Sequence, residues 1–253
     1  MDEINFTPIG VFKTNTKNPV EAPRQGSLNK GEKGEVLLSS NLSEQALRDL
    51  DGFSHLWLIY HFHKNNDWNE LVRPPRGEKK RGVFATRSPY RPNGIGMSCV
   101  KLLEVSKNKI LVEDHDLLDG TPILDIKPYL NYSDSFPEAE LGWINDCVQY
   151  EVTIEGKVTE EVQWLNKNLE VNLNNILINQ LSYEPTNSKI KRVAQNSDFY
   201  EFSYRTWRFY FRIQDHRISI FEINSGYSNE QLDQGYDPYL DKNIHKEYLK
   251  KFK

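Results

Sequence analysis

Gly52-Phe-Ser-His-Leu-Trp-Leu-Ile-Tyr-His-Phe-His63 decides how the fold reads. The stretch is rich in the aromatic and β-branched residues that favour strands. Ser54, His55 and His61 interrupt it, and it is far shorter than the roughly 20 apolar residues of a membrane helix. As a strand it places His55, Trp57, Ile59, His61 and His63 on one face. A His-x-His pair on a barrel strand can ligate a transition metal, as in a cupin-like metalloenzyme. That chemistry also needs a carboxylate and usually a further His. His115 with Asp114 or Asp116 is the one supplement the sequence offers. No third ligand stands at a recognisable spacing. The histidines are therefore read as hydrogen-bonding loops or lining a non-metal pocket, and no metal is assigned.

The neighbouring segments extend the β pattern. Ile4–Thr14 reads as a strand with Gly10 inside it. Gly82–Thr86, Met97–Val105 and Lys109–Glu113 follow, separated by Pro, Gly and Asn clusters. Ser43–Leu50 reads as a short helix capped by Ser43. Many short strands with loop-borne motifs predict a barrel or sandwich. The pattern changes near residue 145. Thr159–Leu181 carries Val162, Leu165, Leu169, Leu173, Ile176, Leu177 and Leu181 near helical spacing. Phe199–Ile213 and Arg217–Ile223 then form a hairpin around Gln214-Asp215-His216, and the tail from Asn224 reads as a loop and a short helix. The expected fold is mainly β: an N-terminal barrel or sandwich domain over 1–145 and a smaller C-terminal α+β domain over 146–253.

Composition sets outer bounds. The chain has 253 residues, a formal net charge of −4, 38% hydrophobic and 12% aromatic residues. A core is affordable, and a mean hydropathy of −0.69 excludes a membrane protein of the helical kind. Cys99 and Cys147 are too few for a disulfide scaffold or a Cys-based zinc site, which fits a reducing, cytoplasmic setting. The acidic start lacks the apolar stretch of a signal peptide. Net charge excludes nucleic-acid binding by bulk charge, yet the cations are clustered. Lys64–Arg91 holds eight basic residues against three acidic, and Lys189–Arg217 seven against three. Either window is a solvated face or a local anion site.

Two loops carry candidate chemistry. In Ala85-Thr-Arg-Ser-Pro-Tyr-Arg-Pro-Asn-Gly-Ile-Gly-Met-Ser98, Pro89 and Pro92 stiffen the chain, and Gly94 and Gly96 permit close backbone approach. Arg87 and Arg91 suit a carboxylate or phosphate, or else satisfy backbone carbonyls in a structural crossover. In Asp114-His-Asp-Leu-Leu-Asp-Gly-Thr-Pro-Ile-Leu-Asp-Ile-Lys-Pro-Tyr129, Asp119-Gly120 makes a tight turn into an apolar strand. Asp125 and Lys127 share a face there, as a structural pair or a functional one. No dinucleotide fingerprint, P-loop or Gly-x-Ser-x-Gly elbow is present, which disfavours a doubly wound dehydrogenase or methyltransferase.

Taken together and in order, Gly52-Phe-Ser-His-Leu-Trp57, Arg73-Pro-Pro-Arg76, Gly82-Val-Phe-Ala-Thr-Arg-Ser88, Arg91-Pro-Asn93, Asp119-Gly-Thr-Pro122 and Asp125-Ile-Lys-Pro-Tyr129 resemble the TrmO (TsaA-like) family of tRNA methyltransferases. Pro23-Arg24-Gln25 fits the same pattern. The resemblance is dense over residues 1–135 and only outlined beyond. It implies a β-barrel amino domain, a homodimer with cofactor sites near its interface, and an S-adenosylmethionine-dependent enzyme. The implied reaction methylates N6 of N6-threonylcarbamoyladenosine at position 37, next to the tRNA anticodon, with the anticodon stem-loop as partner and no membrane.

By carry-over, the resemblance assigns Pro23, Arg24, Gln25, His63, Lys64, Arg91, Cys99, Asp119, Gly120, Thr121 and Pro122 to the cofactor pocket, with Arg87 beside them. For the proton on the poorly nucleophilic acceptor nitrogen it leaves Asp125 or the substrate's own threonyl carboxylate. Two departures stand out. Asn93-Gly94-Ile-Gly96 replaces the usual Asn-Pro-Ile-Gly, so Gly94 is expected to loosen the loop. Tyr183-Glu-Pro-Thr186 replaces an Asp-Pro-Arg-Pro motif, so the second domain is expected to engage RNA differently. The alternatives are a methyltransferase of another RNA or small molecule, a non-catalytic S-adenosylmethionine-binding module, and, last, a metal-dependent cupin.

Overall fold

Period-two burial builds the first half of the chain. A computed structural model describes residues 3–19, 22, 26, 31–77, 79–189, 191–237 and 239–253. Its first strands are β1 (Gly10–Lys13), β2 (Lys33–Leu38), β3 (His55–His61), the two-residue pair β4 (Leu71–Val72) and β5 (Arg81–Gly82), β6 (Ile95–Ser106), β7 (Lys109–Glu113) and β8 (Pro122–Pro128). Six of them close into an antiparallel barrel in the order β1-β2-β7-β6-β3-β8. Closure removes the exposed strand edges that would otherwise invite pairing with other chains.

On β3, Leu56, Leu58 and Tyr60 are buried and point inward. They meet Phe12, Val36, Val100, Ile110, Val112 and Ile123 in one core. Each fully buried aliphatic or Phe side chain there contributes about 1.5–3 kcal/mol. His55, Trp57, Ile59 and His61 do share a face, but it is the outside of the barrel, and His63 lies beyond the strand end in a turn. Of the two readings of these histidines, lining a pocket inside the barrel does not hold, because the interior is lined by aliphatic and aromatic side chains. Gly96 is required where it stands, because a Cβ there would come 2.3 Å from the Tyr60 ring.

Several local expectations are corrected. β1 is shorter than Ile4–Thr14. Gly82–Thr86 is not a strand: Val83–Ala85 is a 3₁₀ turn, closed by the Thr86 hydroxyl donating to the Val83 carbonyl at 2.9 Å. Ser43–Leu50 is not one helix but a 3₁₀ turn at Glu44–Leu47 followed by another at Leu50–Gly52. Ser43 makes no side-chain capping bond, and Asp49 between the turns takes a left-handed φ of 66°.

The chain falls into two units, one of residues 1–74 and 78–142, the other of 75–77 and 143–253. The first ends in a four-residue helix, α1 (Asn131–Asp134). The second holds β9 (Glu151–Ile154), α2 (Gly156–Leu169), α3 (Leu173–Leu181), β10 (Val193–Gln195), β11 (Tyr200–Tyr204), β12 (Trp207–Gln214), β13 (Arg217–Ser225), α4 (Asn229–Asp233) and α5 (Lys242–Phe252). Its sheet runs β10-β11-β12-β13-β9, with β9 parallel to β13.

The expected single helix over 159–181 is two. Glu170 turns left-handed at φ 52°, and the Asn166 and Asn172 side chains accept from the amides of Leu173 and Asn175 to start α3. The β12–β13 turn falls at Asp215-His216, as the sequence reading has it. The aromatic excess concentrates in this unit, where Phe202, Tyr204, Trp207, Phe209, Phe211 and Tyr248 pack with α2 and α3. α5 is fastened by His245 stacked on Trp207 at 3.7 Å and by the Tyr248 hydroxyl donating to the Ile223 carbonyl at 2.9 Å.

His115 is a buried titratable ring of the barrel. It sits edge-on to Phe12 at 4.7 Å, with Nε2 3.3 Å from the Lys33 carbonyl and 3.2 Å from the Thr14 hydroxyl. Burial pushes its pKa down to about 4. The unfolded chain binds that proton as pH falls through about 6.5, while the folded barrel refuses it until about 4. Stability is therefore full above pH 6.5 and declines toward pH 4, by up to roughly 3 kcal/mol from this group. Urea midpoints at stepped pH, with the His115 ring signal followed by NMR, check this; a His115 titrating at the ordinary value contradicts it.

Candidate functional site

β8 lies between β1 and β3, and this places the turns at one end of the barrel side by side. Tyr60 and Gly10 both pair with Ile123. The turn after β3 therefore meets the turn before β8. His63 and Lys64 occupy the first, which is closed by the His63 amide donating to the His61 carbonyl at 2.8 Å. Asp119 and Gly120 occupy the second. The Gly120 amide donates to the Phe12 carbonyl at 2.8 Å, and the Thr121 hydroxyl donates to the Leu118 carbonyl at 2.8 Å. Gly120 takes a φ of 79°, and a Cβ on it would stand 3.9 Å from His63 Nε2. The two turns thus stand within side-chain contact of each other, and glycine places no side chain between them.

The charges around the two turns are fixed. The Asp119 carboxylate accepts from the Thr14 amide at 3.3 Å and lies 3.7 Å from Lys13 Nζ. Burial, Lys64 and His61 lower the His63 pKa, with Asp119 opposing. His63 is therefore neutral at physiological pH, beside an exposed Lys64 ammonium. Gly94 adjoins the same turn: its carbonyl accepts from the Phe62 amide at 2.7 Å, and its own amide donates to the Arg91 carbonyl at 3.2 Å. Its φ is +57°, which the fixed ring of proline cannot adopt. The expected loosening at Gly94 is not what is found, because this residue closes a hydrogen-bonded turn.

The structure also locates the remaining site residues. Thr121 is buried, and Pro122 opens β8. One nitrogen of Arg91, Nη1, donates to the carbonyls of Val83 at 3.2 Å and Thr86 at 2.9 Å, so Arg91 latches the 83–91 loop, and its guanidinium stands 5.7 Å from the Phe84 ring centroid. Arg87 is exposed and lies close enough to Tyr60 and Asp116 to act on both electrostatically. Cys99 stands apart from the turns: it pairs with Trp57 on the outer face, roughly 13 Å of strand from Ile95. Burial and Asp134 raise its thiol pKa. Asp125 is also on the outer face, where Lys127 Nζ at 2.9 Å and the Ile126 amide at 2.9 Å engage it. Pro23, Arg24 and Gln25 lie outside the described residues.

One group was missed by sequence reasoning. Inside the same barrel end, the Tyr60 hydroxyl is 3.2 Å from Ser98 Oγ, and Ser98 Oγ donates to the Asp116 carboxylate. Burial raises the Asp116 pKa, against the bonds from Ser98 and the Gly26 amide. Asp116 thereby ties Gly26 to the barrel. The signal was present in the alternation of β3, which turns Tyr60 inward with Leu56 and Leu58.

In the second unit, Tyr183 of the departed motif lies under the Arg76 guanidinium at 4.6 Å, and its carbonyl accepts from Lys191.

A carboxylate, a neutral imidazole and an ammonium on two turns within side-chain contact of each other match a ligand that carries hydroxyl, ammonium and carboxylate groups. The donor set thus fits S-adenosylmethionine. Among the described residues no group of three or more His, Cys, Asp or Glu is arranged to hold a metal ion.

Residues 11–135 match the family of tRNA-methyltransferase O N-terminal domains. A probable S-adenosyl-L-methionine-binding protein of Pyrococcus abyssi is 45% identical over 145 residues, covering 57% of this chain and 78% of that protein. A tRNA (adenine(37)-N6)-methyltransferase of Escherichia coli is 40% identical over 174 residues, covering 65% and 74%. A crystal structure of TrmO from Pseudomonas aeruginosa aligns at a TM-score of 0.59 and 25% identity, covering 88% of this chain and 100% of that one. Fold and site define the class as a closed-barrel protein with a polar ligand site at one end and an α+β unit attached. With these relatives the particular family follows: the chain belongs to the TrmO family.

Arg91→Ala should free the Val83 and Thr86 carbonyls. Amide exchange across residues 83–94 is expected to rise at least about tenfold, the loss of a charge-assisted bond being worth about 1.5–3 kcal/mol, while the barrel's urea midpoint hardly moves. Unchanged exchange would remove the latch.

Proposed function

We propose that this chain binds S-adenosylmethionine between the His61–Lys64 and Asp119–Gly120 turns and transfers its methyl group to N6 of adenosine 37 in tRNA. The acceptor is the adenosine already bearing an N6-threonylcarbamoyl group. The reading rests on one juxtaposition: His63 against Gly120, with Asp119 and Lys64 on either side, in a chain of this family.

S-adenosylmethionine, when bound, supplies an electrophilic methyl group on a cationic sulfonium. The chain's residues bind, orient and exclude water. Asp119 accepts from hydroxyl or ammonium groups, and Lys64 receives a carboxylate. His63 offers a hydrogen bond without adding positive charge beside a cationic ligand, because burial and Lys64 keep it neutral. Thr121 and Pro122 fix the turn, and the family resemblance adds Pro23, Arg24 and Gln25 as cofactor-binding residues. Arg91 stands with the cofactor residues by the family resemblance, with Arg87 beside it, and the basic windows receive the anionic groups of the acceptor. Asp125 and Cys99, on the outer face of the same chain, are not at this site. The threonyl carboxylate of the substrate is then the group that receives the proton of the urea-like nitrogen.

The chain acts as a homodimer in the cytoplasm. Exposed Met97, on the outer face beside Trp57 and Cys99, offers apolar surface to a second copy. Cys99 and Cys147 as unoxidised thiols suit a reducing compartment. Among the described residues no helix is long and apolar enough to cross a membrane.

Purified chain, S-adenosylmethionine and tRNA bearing the threonylcarbamoyl group should yield that nucleoside with one added methyl by mass spectrometry. Methylation of no nucleoside, or of another one, overturns the reading. Asp119→Ala is expected to weaken S-adenosylmethionine binding by about tenfold or more in calorimetry, the loss of a charge-assisted hydrogen bond. Affinity equal to wild type would move the cofactor elsewhere. The logarithm of the tRNA binding constant should fall linearly with log salt, because Lys and Arg release counterions from the RNA phosphates; a flat response contradicts the role of the basic windows.

A further inference from the structure

Phe84 is 78% exposed, on the 3₁₀ turn Val83–Ala85. Trp68 and Tyr90 are 49% and 45% exposed. Burying such rings is worth several kcal/mol, so three of them standing in water on one set of loops call for an occupant. The loops are held rather than loose. The Asn69 amide donates to the Tyr90 carbonyl at 3.4 Å and the Val83 amide to the Glu70 carbonyl at 2.9 Å, while Leu71 pairs with Gly82. The Arg91 latch on Val83 and Thr86 fixes the backbone that carries Phe84. Between Phe84, Arg91, Pro92, Asn93 and Ile95 lies an open groove of about 230 Å³, enough for one nucleobase.

Charge selects the kind of occupant. Along these loops Arg73, Lys79, Lys80, Arg81, Arg87 and Arg91 are opposed by Asp67, Glu70 and Glu78. A protein-binding core is depleted in charge. Rigid aromatic rings interleaved with cations are instead the pattern that holds single-stranded nucleic acid, with bases stacked on rings and phosphates on cations. The groove's lining includes none of His63, Lys64, Asp119 and Gly120.

We propose that the groove between Phe84 and Ile95 holds one unpaired base flanking the methylated adenosine, stacked on Phe84, with the adjoining phosphates on Arg87, Lys79 and Lys80. This rests on the tRNA methyltransferase reading of the same barrel end. The loop of the RNA is thereby gripped by stacking beside the target, which accounts for exposed rings that the cofactor site does not use.

Phe84→Ala and Phe84→Trp, made in the full chain, test it. Because Phe84 is exposed, neither should disturb folding. Three quantities are read: affinity for an anticodon stem-loop RNA bearing the modified adenosine, affinity for S-adenosylmethionine, and sedimentation. Phe84→Ala should weaken RNA binding by about tenfold, the loss expected for one base–ring stack, and Phe84→Trp should restore it. S-adenosylmethionine affinity should stay within about twofold of wild type. If wild type binds no tRNA, the methyltransferase reading itself fails. If wild type binds and Phe84→Ala binds equally well, the stacking groove alone fails. Equal loss of S-adenosylmethionine affinity would assign Phe84 to the cofactor site. A change of oligomeric state that accounts for the RNA loss would assign the groove to a contact between two copies. Either of the last two outcomes overturns the proposal.

Discussion

Everything at the functional end of this protein depends on β8 pairing with two strands at once. β1 and β3 are far apart in sequence, and neither turn at that end forms a site alone. When β8 lies between them, its leading turn, Asp119–Gly120, is set against the turn that follows β3. The bond from the Gly120 amide to Phe12 locks that turn to β1, and the bond from the Phe62 amide to Gly94 locks the other to the arginine loop. Closure of the barrel and assembly of the site are therefore one event. The left-handed glycines at 94 and 120 let the turns pack without side chains in the space between them.

The electrostatics follow from this placement. The chain is acidic overall, yet at the barrel end Lys13 stands beside the Asp119 carboxylate, Lys64 beside His63, and Arg87 acts on Asp116. A cationic ligand there needs a neutral His63, and burial with Lys64 supplies it. Arg91 has a second task, since holding the Val83 and Thr86 carbonyls makes its own loop rigid. The two readings left open for that loop, anion site or structural crossover, are not exclusive: one nitrogen of the guanidinium performs the second.

Much of this was legible in the sequence. The alternation of Phe53–His63 marked β3, the run Lys109–Glu113 matches β7 residue for residue, and Asp119-Gly120 read as a turn into a strand. A barrel or sandwich was legible because the strands are short and separated by strong turn residues, and the family resemblance selected the barrel. What escaped depended on tertiary placement. Alternation shows which residues share a face but not which face is inside, so the histidines of β3 looked like a lining while Leu56, Leu58 and Tyr60 formed it. The break at Glu170 hides within an apolar periodicity that continues on both sides. Cys99 and Asp125 matched a motif in sequence, yet strand parity turns them outward. Asp116 and Ser98 became a pair only through the register of β6 and the loop before β8.

Amide hydrogen exchange of the chain with and without S-adenosylmethionine tests the central claim most directly. The account predicts protection concentrated at residues 61–64 and 118–121, with smaller protection at Gly94. Protection confined to the outer strand face around Cys99 and Asp125, with both turns unchanged, would contradict it.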